Sequence, residues 1–190
     1  MYFAKVLTIL CLLFAPAAAQ AKMEVFKIDA QRNAVDHNNR GVIYMQDRYY
    51  APAIKEFQMA VMLDPDTQAS SVYYANLANC YMKIGYPALA QDTLQRAIKK
   101  NPMNLSLYQD LAVTFKRQNI LGQKLKYYQK ESRKNPLAQV MVGFILIEQG
   151  KDEAGIAKLQ EFVYTEPDLI ISNGVKKYIN EHANPLDKLE

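Results

Sequence analysis

Four prolines divide most of this chain at nearly regular intervals. They stand at positions 65, 102, 136 and 167, separated by 37, 34 and 31 residues. Before each proline the sequence has the same order: an apolar segment with helical periodicity, a short polar break and a second helical segment. Because a mean period of about 34 residues is that of stacked helix–turn–helix units, the pattern predicts an array of helical hairpins.

The second unit, residues 71–104, shows the pattern most clearly. In its first half, apolar and small side chains recur every three or four residues, so they share one face of a helix. Gly85 interrupts the pattern, and a matching face follows before Pro102. Small side chains opposite large ones allow two helices to approach closely. The residues on the two faces are Tyr74, Leu77, Ala78 and Tyr81, then Ala90, Leu94, Ala97 and Ile98.

This unit resembles the tetratricopeptide repeat, and similar spacing recurs between residues 34 and 167. The resemblance implies an all-α fold, a right-handed superhelical solenoid of about four helix–turn–helix repeats with a C-terminal capping helix. An end cap is needed because the last repeat would otherwise expose an apolar face. The predicted segments are repeats at 34–67, 71–104, 105–136 and 137–167, a helical extension at 22–33, and a capping helix and tail at 168–190.

Some positions predict how tightly the helices pack. Gly41 and Ala78 are expected at close helix–helix contacts, because each is small and lies on an inward face. Lys124 and Glu131 stand where the first unit has alanines. The second helix of the third unit should therefore form but pack less closely, with both charges turned to solvent. His37 stands where the second unit has a tyrosine, and we expect it to be half-exposed.

The resemblance also implies a binding surface, because the first helices of stacked repeats line the concave side of the array. The side chains at those positions are mostly apolar, with several amides and a basic edge. Amides can pair with the main chain of an extended peptide, and methionine adapts to varied shapes. We therefore expect a protein or extended peptide as the partner. The candidate groove residues are Asn38, Val42, Met45, Asn79, Met82, Lys83, Gln109, Val113, Lys116 and Phe144.

Some members of this family hold a terminal carboxylate with two lysines, two asparagines and an arginine from successive repeats. Here Val42 replaces one of the asparagines, and Asp110 stands where the arginine would be. A receptor for the tails of cytosolic chaperones is therefore not expected.

The first helix of the fourth unit, residues 137–147, is apolar nearly all round. Such a helix is normally buried on every side, and its own hairpin can cover only part of it. The remaining cover could be the C-terminal helix, a second copy of the chain or the ligand. We favour the C-terminal helix because it offers an apolar stripe at near-helical spacing, formed by Ile170, Ile171, Val175 and Ile179.

The first 21 residues have the layout of a cleavable secretory signal. Lys5 precedes a short apolar stretch, and small residues follow Pro16. The stretch is shorter than the ~20 residues needed to span a bilayer. We expect cleavage after Ala19 or Ala21, export from a bacterial cytoplasm to the periplasm or beyond, and membrane contact only through the signal. Cys80 is then the one remaining cysteine, expected as a small buried side chain.

Composition and motifs favour a binding protein over an enzyme. The chain has 23 Lys and Arg against 19 Asp and Glu. Its basic runs, such as Lys99-Lys100, are only two residues long, too short to predict nucleic-acid binding. The sequence has no catalytic triad, phosphate loop or metal-binding Cys/His cluster, so we expect no catalysis, cofactor or metal. Two functions stay open: a scaffold for a protein partner, and a structural component that assembles with itself. Exported bacterial members of the family commonly assist envelope or surface-structure assembly.

Overall fold

The computed structural model describes residues 29–182. The expected signal, most of the expected N-terminal extension and the C-terminal tail lie outside the described residues. Within them the chain is an all-α solenoid, as the proline spacing predicts, and none of its helices is both long and apolar enough to span a membrane. The helices are α1 Ala30–Gln46, α2 Tyr50–Leu63, α3 Ser70–Lys83, α4 Pro87–Lys100, α5 Leu105–Arg117, α6 Leu121–Glu131, α7 Leu137–Glu148, α8 Asp152–Thr165 and α9 Ile170–His182.

The first eight helices form four hairpins, which we number one to four in chain order. The turn inside each hairpin contains one residue in the left-handed conformation: Arg48 with φ 63°, Gly85 with φ 85°, Asn119 with φ 57° and Gly150 with φ 76°. Glycine adopts this conformation readily, whereas for a residue with a side chain the conformation costs about 1–2 kcal/mol of stability. Hairpins one and three therefore carry a small backbone strain that hairpins two and four avoid.

Within the hairpins the helices meet where a side chain is small or absent. A Cβ atom on Gly41 would lie 2.6 Å from the Phe57 ring, and Ala78 is 1% exposed. Both are therefore confirmed as packing residues. In hairpin four, two glycines face each other, because a Cβ atom on Gly155 would lie 2.8 Å from the carbonyl oxygen of Gly143. This close approach sets α7 directly against α8.

Hairpin three departs from this arrangement. Helix α5 packs against α7, while α6 has more contact with α7 than with its own hairpin partner α5. No side chain of α6 is fully buried, which confirms the looser packing expected from Lys124 and Glu131. The expected outward turn is wrong for Lys124, whose Nζ lies 5.2 Å from the centre of the Phe115 ring. A cation over an aromatic face is stabilised electrostatically, which favours this inward position.

Helix α9 packs mainly against α8, also contacts α5, and reaches Phe144 of α7. Ile171, Val175 and Ile179 are buried in the same core cluster as Phe144. The Tyr178 ring meets the Phe144 ring nearly edge-on, with 5.1 Å between the ring centres and 80° between the ring planes. The C-terminal helix is therefore confirmed as the cover of Phe144.

Two details of that cover differ from the expectation. Ile170, the first residue of α9, is 76% exposed and does not belong to the covering face. Ile147 is covered from its own hairpin, because a Cβ atom on Gly155 would lie 2.5 Å from its Cγ1 atom. The covering stripe of α9 therefore begins at Ile171.

Cys80 and His37 have the structural roles that the sequence predicts. Cys80 is buried, and burial raises the pKa of its thiol to about 11, so the thiol stays protonated and unreactive. His37 is partly exposed, and its Nδ1 lies 2.8 Å from Oε2 of Glu56, which also accepts a hydrogen bond from Arg40. Partial burial raises the pKa of Glu56, but these hydrogen bonds outweigh it and hold the pKa below its usual value.

Candidate functional site

A cleft opens between the first helices of hairpins two and three. Its volume is about 200 Å³, and its walls come from α3 and α5, with one contribution from α4. On each wall the lining residues recur three or four positions apart, which places them on one helix face. The small side chains of Ala75 and Ala78 leave room for the cleft between the two walls. The lining residues are Ala75, Ala78, Asn79, Met82, Lys83, Leu94, Asp110, Val113 and Arg117.

Four of the predicted groove residues line this cleft together. Asn79 and Lys83 on α3 are exposed, while Met82 on α3 and Val113 on α5 are half-buried. The amide of Asn79 is therefore open to a partner, and the two apolar side chains supply nonpolar surface on opposite walls.

Three predicted groove residues on α1 have structural contacts instead. Oδ1 of Asn38 accepts a hydrogen bond from Nδ2 of Asn76 at 2.9 Å, which joins hairpins one and two. Val42 and Met45 pack against the core cluster between these hairpins. None of the three lines the cleft.

Phe144 is wrong as a groove residue. It is 3% exposed because Tyr178 of α9 packs against it, so the chain itself occupies that part of the surface. Nζ of Lys116 pairs with Oε2 of Glu148 at 3.0 Å, and Gln109 is half-buried outside the cleft lining. The open cleft therefore ends at α5.

Asp110 lines the cleft but is not among the residues predicted for the groove. Burial by the cleft walls raises the pKa of its carboxyl, and no charged or hydrogen-bonding neighbour offsets this burial. The residue is nevertheless exposed to solvent at the mouth of the cleft. The spacing of Asp110, Val113 and Arg117 was a usable signal, because residues three and seven positions apart share one helix face.

The cleft combines three kinds of contact. Lys83 and Arg117 stand in the last turns of α3 and α5, where cations are favoured by the helix dipole. Asp110 lies seven residues before Arg117, or about 10 Å along the helix axis. A bound segment could therefore meet opposite charges, an open amide and apolar walls. Residues 29–182 contain no group of three or more His, Cys, Asp or Glu placed to hold a metal.

A second hollow, of about 330 Å³, lies beside α6. It exists because α6 stands away from α5, and it is mostly apolar. The hydroxyl of Tyr108 donates a hydrogen bond to the carbonyl oxygen of Pro102 at 2.8 Å, and burial raises the pKa of Tyr128 to about 12. Both phenols therefore stay neutral. The lining residues are Gln95, Ile98, Lys99, Tyr108, Leu111, Tyr127, Tyr128, Leu137, Ala138 and Met141.

Stacked helical hairpins with an open cleft on their first helices define a helical-repeat scaffold. Residues 37–67 and 72–102 match the family model of the tetratricopeptide repeat. Hairpins one and two are therefore similar to the repeats of tetratricopeptide-repeat proteins. Such proteins are typically non-catalytic scaffolds for protein–protein interaction. The match covers hairpins one and two, and the displaced α6 in hairpin three is where the regular arrangement ends.

Several solved structures are similar in fold. MamA is 21% identical, over 73% of this chain and 81% of that chain, with a TM-score of 0.49. The pilF protein of Pseudomonas aeruginosa is 15% identical, over 79% of this chain and 68% of that chain, with a TM-score of 0.49. YrrB, described as a tetratricopeptide protein with an unusual peptide-binding site, is 18% identical, over 76% of this chain and 74% of that chain, with a TM-score of 0.45. No curated protein sequence is detectably similar to the chain.

Proposed function

We propose that this protein is a non-catalytic scaffold that binds an extended segment of a partner protein in the cleft between α3 and α5. The observation that supports this proposal is the open amide of Asn79 between the apolar walls formed by Met82 and Val113. A side-chain amide both donates and accepts hydrogen bonds, as the main chain of an extended segment requires. Methionine adjusts to different neighbouring shapes without strain.

The size of the cleft favours a peptide over a small-molecule ligand. Pockets for drug-sized molecules are about 300–1,000 Å³, whereas this cleft is about 200 Å³. A space of this size accepts side chains of a longer segment that continues over the surface. Asp110, Lys83 and Arg117 would then select segments that carry complementary charges.

We also propose that the protein works outside the cytoplasm, where it assists the assembly of envelope or surface structures. The order of Lys5, an apolar stretch and small residues in the N-terminal sequence supports export. N-terminal sequencing of the exported protein should find Gln20 or Lys22 as the first residue. A retained Met1 would contradict cleavage.

Affinity capture from the native cell envelope tests the cleft. We expect the double variant Asn79→Ala/Met82→Glu to lose partners that the parent retains, because it removes the amide and places a charge on an apolar wall. The control is Asn39→Ala/Met62→Glu, the same two changes at exposed positions of hairpin one. It should keep those partners.

Circular dichroism must show equal helicity for parent, variant and control. Equal capture by the variant at the cleft would move the binding site to another surface. Size-exclusion chromatography separates the remaining alternative, since a structural component would elute as an oligomer at every concentration.

A further inference from the structure

The formal charge of this chain is concentrated in one helix and the turn after it. Residues 121–134, which comprise α6 and that turn, contain five Lys or Arg and one Glu, a net charge of +4. The whole chain also has a net charge of +4, so all other residues together are neutral. Apart from the adjacent pair Arg133-Lys134, these cations are separated in sequence and come together only on the helix.

Most of these cations point away from the rest of the fold. Leu121, Leu125 and Tyr128 share the inward side of α6 and pack against the core. The opposite side is exposed and contains no acidic residue. The only acid of the segment, Glu131, is half-buried on its flank. We call the exposed side the basic face of α6, formed by Gly122, Gln123, Lys126, Tyr127, Gln129, Lys130, Arg133 and Lys134.

The cations of the basic face have no acidic partner in the described part of the chain. The ion pairs between residues 29 and 182 all join other side chains. Lys99 of α4, at the edge of the hollow beside Tyr127, adds another exposed cation. A cluster of one sign of charge without internal compensation produces a positive potential that attracts anionic partners.

We propose that the basic face of α6 binds the surface of an anionic phospholipid bilayer. Lysine and arginine side chains are attracted to anionic headgroups. Tyr127 is 56% exposed among these cations, and tyrosine is favoured at the headgroup level because its ring is apolar and its hydroxyl is polar. The basic face lies on a helix that stands away from its hairpin partner. Its cations are therefore accessible to the surface of a bilayer.

The hollow beside α6 favours a phospholipid over other anionic partners. It has a mostly apolar lining and opens at Tyr127 and Lys99. A phospholipid offers both an anionic headgroup for the basic face and an apolar chain for this hollow, whereas an acidic polypeptide or a nucleic acid offers no such chain. This inference goes beyond the proposed peptide cleft, which lies on α3 and α5. The sequence led us to expect membrane contact only through the N-terminal segment. The present inference adds α6 as a second place of membrane contact.

Vesicle co-sedimentation tests the proposal with the full chain. One set of vesicles contains phosphatidylcholine alone, and the other contains equal parts of phosphatidylglycerol and phosphatidylcholine. The readout is the partition constant for the anionic vesicles divided by that for the neutral vesicles. Apolar binding by residues 1–21 contributes equally to both constants and therefore cancels in this ratio. Each cation near such a surface contributes roughly fivefold. The variant Lys126→Gln/Lys130→Gln/Arg133→Gln should therefore lower the ratio by on the order of a hundredfold.

The matched control is Arg32→Gln/Lys55→Gln/Lys151→Gln, which removes the same charge from exposed positions on other elements. It should leave the ratio nearly unchanged, and thermal melting should show that both variants fold like the parent. An unchanged ratio in the variant, or an equal loss in the control, overturns the proposal. Binding to polyglutamate or to a DNA oligonucleotide without preference for anionic vesicles would assign the face to another polyanion and also overturn it.

Discussion

The contact between α7 and α8 makes Gly155→Ala an informative substitution. A Cβ atom at this position would lie 2.5 Å from Cγ1 of Ile147, 2.8 Å from the carbonyl oxygen of Gly143 and 3.1 Å from the backbone nitrogen of Ile147. Two of these three atoms belong to the backbone, which moves only if α7 separates from α8. The substitution should therefore push hairpin four apart and destabilise the protein.

The expected change in the free energy of unfolding is the difference between two opposing effects. Alanine is favoured over glycine inside a helix by about 1 kcal/mol. Overpacking a well-packed contact costs about 1–3 kcal/mol, and more where the backbone must move. Because the backbone limits relief here, we expect the packing cost to prevail and the free energy of unfolding to fall by about 2 kcal/mol. For a chain of this size, that corresponds to a melting temperature about 4–8 °C lower.

Two other helical glycines serve as controls measured in the same thermal melts by circular dichroism. A Cβ atom on Gly174 would lie 3.6 Å from Leu105, an ordinary contact, and a Cβ atom on Gly122 would have nothing within 4 Å. At these positions only the higher helix propensity of alanine acts. The substitutions Gly174→Ala and Gly122→Ala should therefore raise the free energy of unfolding by up to about 1 kcal/mol. If Gly155→Ala melted at or above the parent temperature, the close approach of α7 to α8 would be refuted.

Three further predictions concern a turn, the C-terminal cover and an ion pair. Arg48→Gly should raise the free energy of unfolding by about 0.5–1 kcal/mol, because it removes left-handed strain, and Gly85→Arg should lower it. If both substitutions shifted the melting temperature in the same direction, the turn geometry would be contradicted. Deleting residues 168–190 should uncover Phe144 and increase the fluorescence of a hydrophobic dye; a soluble monomer that binds no dye would show that α9 is not the cover. Despite partial burial, the pKa of Glu56 is held below its usual value by hydrogen bonds, so its contribution to stability is present above the ordinary carboxyl pKa and is lost as the pH falls through the folded pKa. Glu56→Gln should therefore lower the melting temperature at neutral pH and differ less from the parent in acid, whereas a difference independent of pH would exclude this role.

The regular half of the fold was predictable because its contacts are local in sequence. Gly41 lies opposite Phe57 within one hairpin, and such small–large pairs recur with the period of the repeat. The same helical periodicity places Asn79 and Met82 on one face of α3 without any knowledge of distant residues. For these positions the identity of the side chain and its place in the repeat determine its surroundings.

The remaining site residues depend on distant parts of the chain. Phe144 occupies a first-helix position that would be open in a regular array, but α9 covers it through Tyr178. The sequence predicted that some cover was needed, yet Phe144 was still included among the groove residues. Lys124 was expected in solvent because its partner, the Phe115 ring, lies on a different helix. Each error concerns a contact that the helical period does not determine.

The displacement of α6 links the cleft, the second hollow and the basic face. Where hairpin one has buried alanines, α6 has Lys124 and Glu131, and these longer charged side chains keep it from closing on α5. Helix α5 then packs directly against α7, and α9 reaches α5 near Leu105. The open first-helix surface consequently ends at α5, while the space that α6 leaves becomes the apolar hollow. Because α6 buries no side chain completely, its outward positions are free of packing requirements and can carry the excess positive charge.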